Sequence, residues 1–184
     1  KSDIMGMDKV FVHIAENYYL SGDAHWIDSS SMEKLKERVK KIKPNLIGKI
    51  APDLKLPTIS GDHSRLHDIE SDYTILYFWE PGCSHCKKVT PKIYDIYTSY
   101  DRSELEVFAV YTQVDKQAWT KYLNKNEFDW INVYDPYNTS NFRRKYDIYS
   151  TPTIYLLNKD KEIVAKRISH EALKKMLKQK IGDE

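Results

Sequence analysis

The sequence holds two cysteines, three positions apart, in the stretch Phe78-Trp79-Glu80-Pro81-Gly82-Cys83-Ser84-His85-Cys86-Lys87-Lys88. Tyr73–Trp79 before them is a continuous apolar and aromatic run, as expected of a strand buried on both faces. Residues 84–100 after them have helical spacing, with Val89, Ile93, Ile96 and Tyr97 turned inward. A Cys-x-x-Cys that leaves a strand and opens a helix has a definite chemical use. The first sulfur falls at the helix N-terminus, where unpaired N–H groups and the positive end of the dipole favour thiolate. Thiolate is the attacking species in disulfide exchange. The second sulfur lies one turn along the same face and can close an intramolecular bridge. Cys83 is therefore the expected nucleophile and Cys86 the resolving thiol. Ser84 and His85 between them tune the redox potential, and His85 is placed to stabilise the Cys83 thiolate by charge or hydrogen bond. Trp79 is expected to line the site and shield the sulfur.

Other uses of a cysteine pair fit less well. A zinc site needs two more ligands. No second pair exists, and His13, His25, His63, His67 and His170 show no matching spacing. A c-type haem needs histidine directly after the second cysteine, where Lys87 stands. A purely structural bridge closing so short a loop would stabilise little through chain entropy. No cofactor and no metal is called for.

The elements that must hold this pair read as follows. Val10, Phe11, Ile14, Tyr18 and Tyr19 recur at helical spacing on one face, with Ser21-Gly22-Asp23 as the stop. A second helix begins near Ser30 and Ser31, carries Met32, Leu35, Val39 and Ile42 inward, and ends at Pro44. The pattern changes near Gly48, which divides a helical N-terminal segment, 1–46, from a domain at 47–184. Residues 54–59 alternate like a strand and Ser60-Gly61-Asp62 is a turn. Strands follow at Leu105–Tyr111, 131–133, 153–157 and 162–168, the last two joined by a turn at Asn158-Lys159-Asp160. Helices are expected at 115–125, at 138–146 and from Ser169 to the end, with Ser169 as cap and Leu173, Met176 and Leu177 inward. Strand–helix alternation closed by a hairpin and helix predicts an α/β fold with a mixed central sheet flanked by helices.

Trp79-x-x-x-Cys83-x-x-Cys86 after a buried strand, with Thr151-Pro152 before a later strand, resembles the thioredoxin superfamily. Pro91, the closing hairpin and the terminal helix fit the same pattern. The resemblance implies a thioredoxin-like fold, a cis peptide bond at Pro152, and a Thr151 backbone turned toward the cysteines to pair with an extended substrate. Ile47-Gly48-Lys49-Ile50-Ala51-Pro52-Asp53-Leu54 and the insertion at about 115–147 resemble the TlpA/ResA type, which borders the AhpC/TSA proteins. That group is bacterial and works outside the inner membrane. It implies an extracytoplasmic, periplasmic location, with a lipid anchor supplied by a part absent from this chain. The implied partners are protein or small-molecule thiols and disulfides, together with an upstream electron donor or acceptor.

Two departures stand out. Thioredoxin places a buried aspartate six positions before the nucleophile, and here that residue is Tyr77. The ResA type places a glutamate three after the second cysteine, and here that residue is Val89. Glu80 is the only carboxylate nearby in sequence and is either a substitute proton acceptor or a solvated loop acid. Trp119 and Trp130 read as core. Tyr134, Tyr137, Tyr146 and Tyr149 border a groove or pack in the core.

The 184 residues carry 29 Lys+Arg against 27 Asp+Glu, a formal charge of +2, which gives no electrostatic case for nucleic acid. No apolar run approaches the ~20 residues of a membrane helix. Hydrophobic residues at 41% place the chain among globular proteins. Two further activities remain compatible with the residues. One is a peroxiredoxin-like peroxidase, against which Glu80 stands where threonine or serine is required. The other is a redox-inert thioredoxin-like binding or scaffold module.

Overall fold

The computed structural model of the protein describes residues 5–22 and 24–182, so Asp23 of the first expected stop lies outside the described residues. In chain order the elements are α1 (Met7–Ile14), a π-helical turn (Ala15–Tyr19), α2 (Ser29–Ile42), β1 (Lys55–Pro57), β2 (His63–Arg65), β3 (Tyr73–Trp79), α3 (Ser84–Tyr97), β4 (Leu105–Tyr111), α4 (Lys116–Asn126), β5 (Ile131–Tyr134), α5 (Phe142–Lys145), β6 (Thr153–Asn158), β7 (Ile163–Lys166) and α6 (His170–Ile181). Five strands form one sheet in the order β5-β4-β3-β6-β7, and β1 with β2 forms a separate hairpin. β3 runs parallel to β4 and antiparallel to β6. This is the mixed sheet, flanked by helices and preceded by a helical segment, that the alternation predicted.

Strand β3 is the centre of the molecule. Its side chains alternate between faces, so Ile75, Tyr77 and Trp79 enter one core and Leu76 and Phe78 the other. The first core is closed by α3, α4 and α6 through Ile93, Trp119, Leu173 and Leu177. The second is closed by the β1–β2 hairpin and by Phe142, Tyr146 and Ile148. Because β3 is covered on both faces, both of its neighbours must come from the sheet, and the backbone at its C-terminal end is fixed by pairing with β4 and β6. Helix caps follow the sequence. Ser169 accepts a hydrogen bond from the Ala172 N–H, and Asp115 accepts from the N–H groups of Gln117 and Ala118.

The N-terminal segment departs from expectation. Val10, Phe11, Ile14, Tyr18 and Tyr19 are 36–63% exposed, while Val12 and Ala15 are buried against Val39, Ile42 and Leu46 of the second helix and its exit. Val12 and Ala15, one turn apart, form the contact face, so Val10, Phe11 and Ile14 of α1 lie off it; the π turn over Ala15–Tyr19 begins only at the end of that contact. Helix α2 begins at Ser29, one residue before the expected start, and Asp28 caps it by accepting from the Ser31 N–H. The helix expected over 138–146 is only Phe142–Lys145. Asp135 captures the backbone N–H groups of Thr139 and Ser140, and Asn138 and Asn141 adopt left-handed backbone, which holds the approach as a loop. Helix α3 stops at Tyr97, and β1 and β7 are shorter than their apolar runs.

Candidate active site

Trp79 ends β3, and Glu80-Pro81-Gly82 carries the chain to α3. Cys83 is the N-cap of that helix, with extended backbone, and its Sγ accepts a hydrogen bond from the Cys86 N–H at 3.4 Å. The Cys83 N–H in turn donates to the Glu80 carbonyl at 3.3 Å. The turn and the helix start thus hold the first sulfur where cap side chains ordinarily sit. Cys83 is partly exposed, whereas Cys86 is 1% exposed and packs in the first core; both are free thiols.

The two sulfurs are driven apart in acidity. Burial pushes the Cys83 thiol up, but the Cys86 N–H and thiol, Thr151 and the His85 N–H together outweigh it and hold Cys83 below the ordinary thiol value. For Cys86 burial wins. A hydrogen bond to the Glu80 backbone works the other way, the nearby Cys83 adds to the rise, and the thiol is pushed up to about 12.

A second segment completes the geometry. Phe78 pairs with Thr153 across β3 and β6, so the residues just beyond both strand ends lie side by side. The Thr151–Pro152 bond is cis, as the resemblance implied. The Thr151 carbonyl lies 3.3 Å from the Cys83 Sγ, within hydrogen-bond reach of the thiol. The hydroxyl of Thr153 donates to the Ser150 carbonyl and closes the loop.

Glu80 is not a loose loop acid. One carboxylate oxygen accepts from the Thr151 hydroxyl at 3.0 Å and the other from the Gln113 amide. Gln113 lies in the loop after β4 and gave no signal in the sequence. Glu80 therefore braces the two loops that flank Cys83. Tyr77 occupies the position of the expected buried acid. It is fully buried, and its hydroxyl pairs with Thr90 Oγ1 at 2.8 Å, one turn of α3 beyond Cys86. Burial raises its pKa well above the ordinary tyrosine value, so it offers no carboxylate-like acceptor at neutral pH.

Trp79 and His85 differ in exposure. Trp79 does not line an open site. It is fully buried, stacks on Tyr77 and packs against Tyr111 and Tyr122, forming the floor beneath Cys86. The His85 ring is exposed and makes no hydrogen bond among the described residues; its contribution to Cys83 comes through its backbone N–H. Ser84 is likewise exposed at the helix start, and Pro81 is partly buried in the turn. Trp119 and Trp130 are core, as are Tyr134 and Tyr146, whereas Tyr137 and Tyr149 are exposed.

The profile of a thioredoxin-like family matches residues 71–163, which span β3 to the start of β7 and include both cysteines and Pro152. The chain belongs to the thioredoxin-like family. Among curated relatives, the thiol-disulfide oxidoreductase ResA of Geobacillus kaustophilus is 26% identical over 117 residues, which is 64% of this chain and 66% of that protein. A domain from Cytophaga hutchinsonii, described as that of a possible thiol-disulfide isomerase, is 38% identical with a TM-score of 0.69 and covers 74% of this thioredoxin-like chain and 93% of its own. A thioredoxin-like protein from Bacteroides caccae is 26% identical with a TM-score of 0.75. It covers 92% of this chain and 60% of its own, a share that extends into the N-terminal helices. The oxidoreductase class expected from the cysteine pair agrees with the names of these relatives.

Proposed function

We propose that residues 47–184 form a thiol–disulfide oxidoreductase domain acting through Cys83-Ser84-His85-Cys86, and that residues 1–46 are a helical segment docked on it. The single observation that carries this is the division of labour between the sulfurs. Cys83 is reachable, capped by helix N–H groups and acid-shifted, while Cys86 is buried and protonated one turn behind it.

The exchange runs in two displacements. The Cys83 thiolate attacks one sulfur of a substrate disulfide. The substrate S–S bond breaks, its far sulfur leaves as thiolate, and a mixed disulfide joins Cys83 to the near sulfur. Cys86 sulfur then attacks Cys83 Sγ, the mixed disulfide breaks, and the second substrate sulfur departs. The proton of Cys86 ends on a released thiol. In sum the protein, with Cys83 as thiolate and Cys86 as thiol, gives two electrons and the Cys86 proton to the substrate, which leaves as one thiolate and one thiol, the thiolate taking a proton from water; the reverse sequence oxidises a substrate dithiol. Thr151 and Pro152 orient the partner backbone. Glu80 holds the Thr151 loop against the Cys83 turn, and Trp79 walls off the buried thiol.

The substrates in this proposal are protein or small-molecule disulfides, renewed by a separate electron donor or acceptor, in an extracytoplasmic compartment as in the TlpA/ResA group. The names of the relatives support the chemistry. The test uses single substitutions. Cys83→Ser abolishes disulfide reduction, and Cys86→Ser accumulates a mixed disulfide that mass spectrometry detects. Full turnover by both variants ends the proposal.

A further inference from the structure

Beside the cis-proline loop lies a cleft of about 520 Å³, within the size range of small-molecule and peptide-side-chain sites. Pro152 and Tyr149 form one wall. The N-terminal segment also lines the cleft, through Asp8 of α1 and Arg38 of α2, as do Lys166 and Arg167 at the end of β7. The cleft opens next to the residue whose carbonyl touches the Cys83 sulfur.

Its charges do not balance. Lys166, with its side chain 5% exposed, pairs with Asp8 at 2.6 Å and donates to Asn45 Oδ1 at 3.0 Å. Arg38 and Arg167 converge on Asp147, at 2.7 and 2.6 Å. Three fixed cations therefore meet two carboxylates, which leaves one positive charge over. Arg38 gives a single N–H to Asp147 and keeps its side chain 40% exposed, so guanidinium donors remain for a ligand. Arg167 is braced over the ring of Tyr149, with 4.9 Å between its guanidinium carbon and the ring centre. These cations are pre-positioned by pairing and burial, the condition under which charge recognition costs little reorganisation.

We propose that this cleft is the subsite for a carboxylate carried near the reacting sulfur of the substrate, and that the N-terminal helices supply the wall that selects it. The inference rests on the exchange chemistry proposed above. A substrate sulfur seated on Cys83 has Pro152 beside it and the cationic cleft beyond, so an acidic residue next to a substrate cysteine, or the carboxylate of a small thiol, completes the charge balance of the cleft.

The test compares disulfide reduction by the full chain on probes matched in all but charge. Small probes are anionic dithiodiglycolate, neutral hydroxyethyl disulfide and cationic cystamine. Peptide probes, acetylated and amidated at their termini, are disulfide-linked Glu-Cys-Glu and its uncharged counterpart Gln-Cys-Gln. The expected result is a roughly tenfold higher kcat/KM for the anionic member of a set, the size of one charge-assisted hydrogen bond. If only the small set shows it, the carboxylate source is a small thiol; if only the peptide set shows it, the source is a protein. Arg38→Gln is expected to reduce the anionic-to-neutral ratio several-fold. Because that change also removes a partner of Asp147, a second measurement needs no variant. Raising ionic strength to about 1 M, where the screening length is ~3 Å, should collapse the ratio in the native chain. Equal rates on anionic and neutral probes, or a preference for cystamine, overturn the subsite while leaving the exchange chemistry standing. Failure to reduce any probe instead overturns the exchange proposal beneath it.

Discussion

The Sγ of Cys83 and the carbonyl oxygen of Thr151 lie 3.3 Å apart although 68 positions separate them in sequence. No local rule creates this contact. It follows from β3 and β6 pairing antiparallel at the centre of the sheet, with Phe78 opposite Thr153. The thiol and the loop beside it are consequently held by backbone hydrogen bonds of the most deeply buried part of the fold. Placing a reactive group on such rigid elements keeps its geometry when substrate arrives.

The first prediction concerns acidity. Alkylation of Cys83 in Cys86→Ser should show half-maximal thiolate at a pH below that of a free thiol, since helix N–H groups remain to stabilise the anion. Cys86 in Cys83→Ser should still ionise well above the free-thiol value, because burial, the largest cause of its shift, is untouched. Thiolate absorbance against pH measures both. An unshifted or raised Cys83 would contradict the cap geometry.

The second concerns Glu80. Glu80→Ala leaves the Thr151 hydroxyl and the Gln113 amide without their acceptor. The expected loss is about 1 kcal/mol, the net worth of an ordinary hydrogen bond, seen as a lower urea midpoint with unchanged slope. Disulfide reduction should also slow, since the Thr151 loop is no longer braced against the Cys83 turn. Loss of activity with no change in midpoint would point instead to proton transfer through the carboxylate.

The third concerns acid. Burial alone would raise the Asp147 carboxyl, but its bonds to Arg38 and Arg167 outweigh that and hold it below the usual carboxylate value. The stabilisation is therefore complete above the unfolded-state value of about 3.9 and is lost as pH falls through the lower folded-state value. Asp147→Asn should be less stable than the native chain by about 1–3 kcal/mol at neutral pH, with the gap closing below about pH 4. Paired urea titrations at neutral and acid pH decide it. A gap independent of pH would show that the carboxylate charge is not what holds Arg38 and Arg167.

The fourth concerns Ser169. It caps α6, whose Leu173 and Leu177 close the first core. Ser169→Ala should cost about 1 kcal/mol and Ser169→Asp almost nothing, measured by chemical denaturation. Equal losses in both would assign the residue a role other than capping.

What the sequence made legible was whatever local pattern controls. β3 and β4 were bounded to the residue, because apolar runs flanked by turns have few alternatives. Cys83 near a helix N-terminus and Ser169 as a helix cap followed from the chemistry of unpaired N–H groups. Pro152 came from resemblance. What escaped was set by distant partners. Nothing near Gln113 marks it as the partner of Glu80. Arg38, Asp147 and Arg167 meet only when the N-terminal helices dock, and Arg38 and Asp147 are 109 positions apart. The five apolar residues of the first helix misled because the contact with the second helix runs through Val12 and small Ala15 on another face, which size-weighted periodicity passes over.

Cys83 and Thr151 both overhang the same rung of the sheet, each only a few residues past its strand. An added residue in either overhang would lie outside the β3–β6 ladder, yet carry the sulfur out of step with its neighbour. Length between residues 79 and 83, and between 150 and 153, is thus as strict a requirement as identity, and a chain that lost it would still fold while its chemistry fell silent.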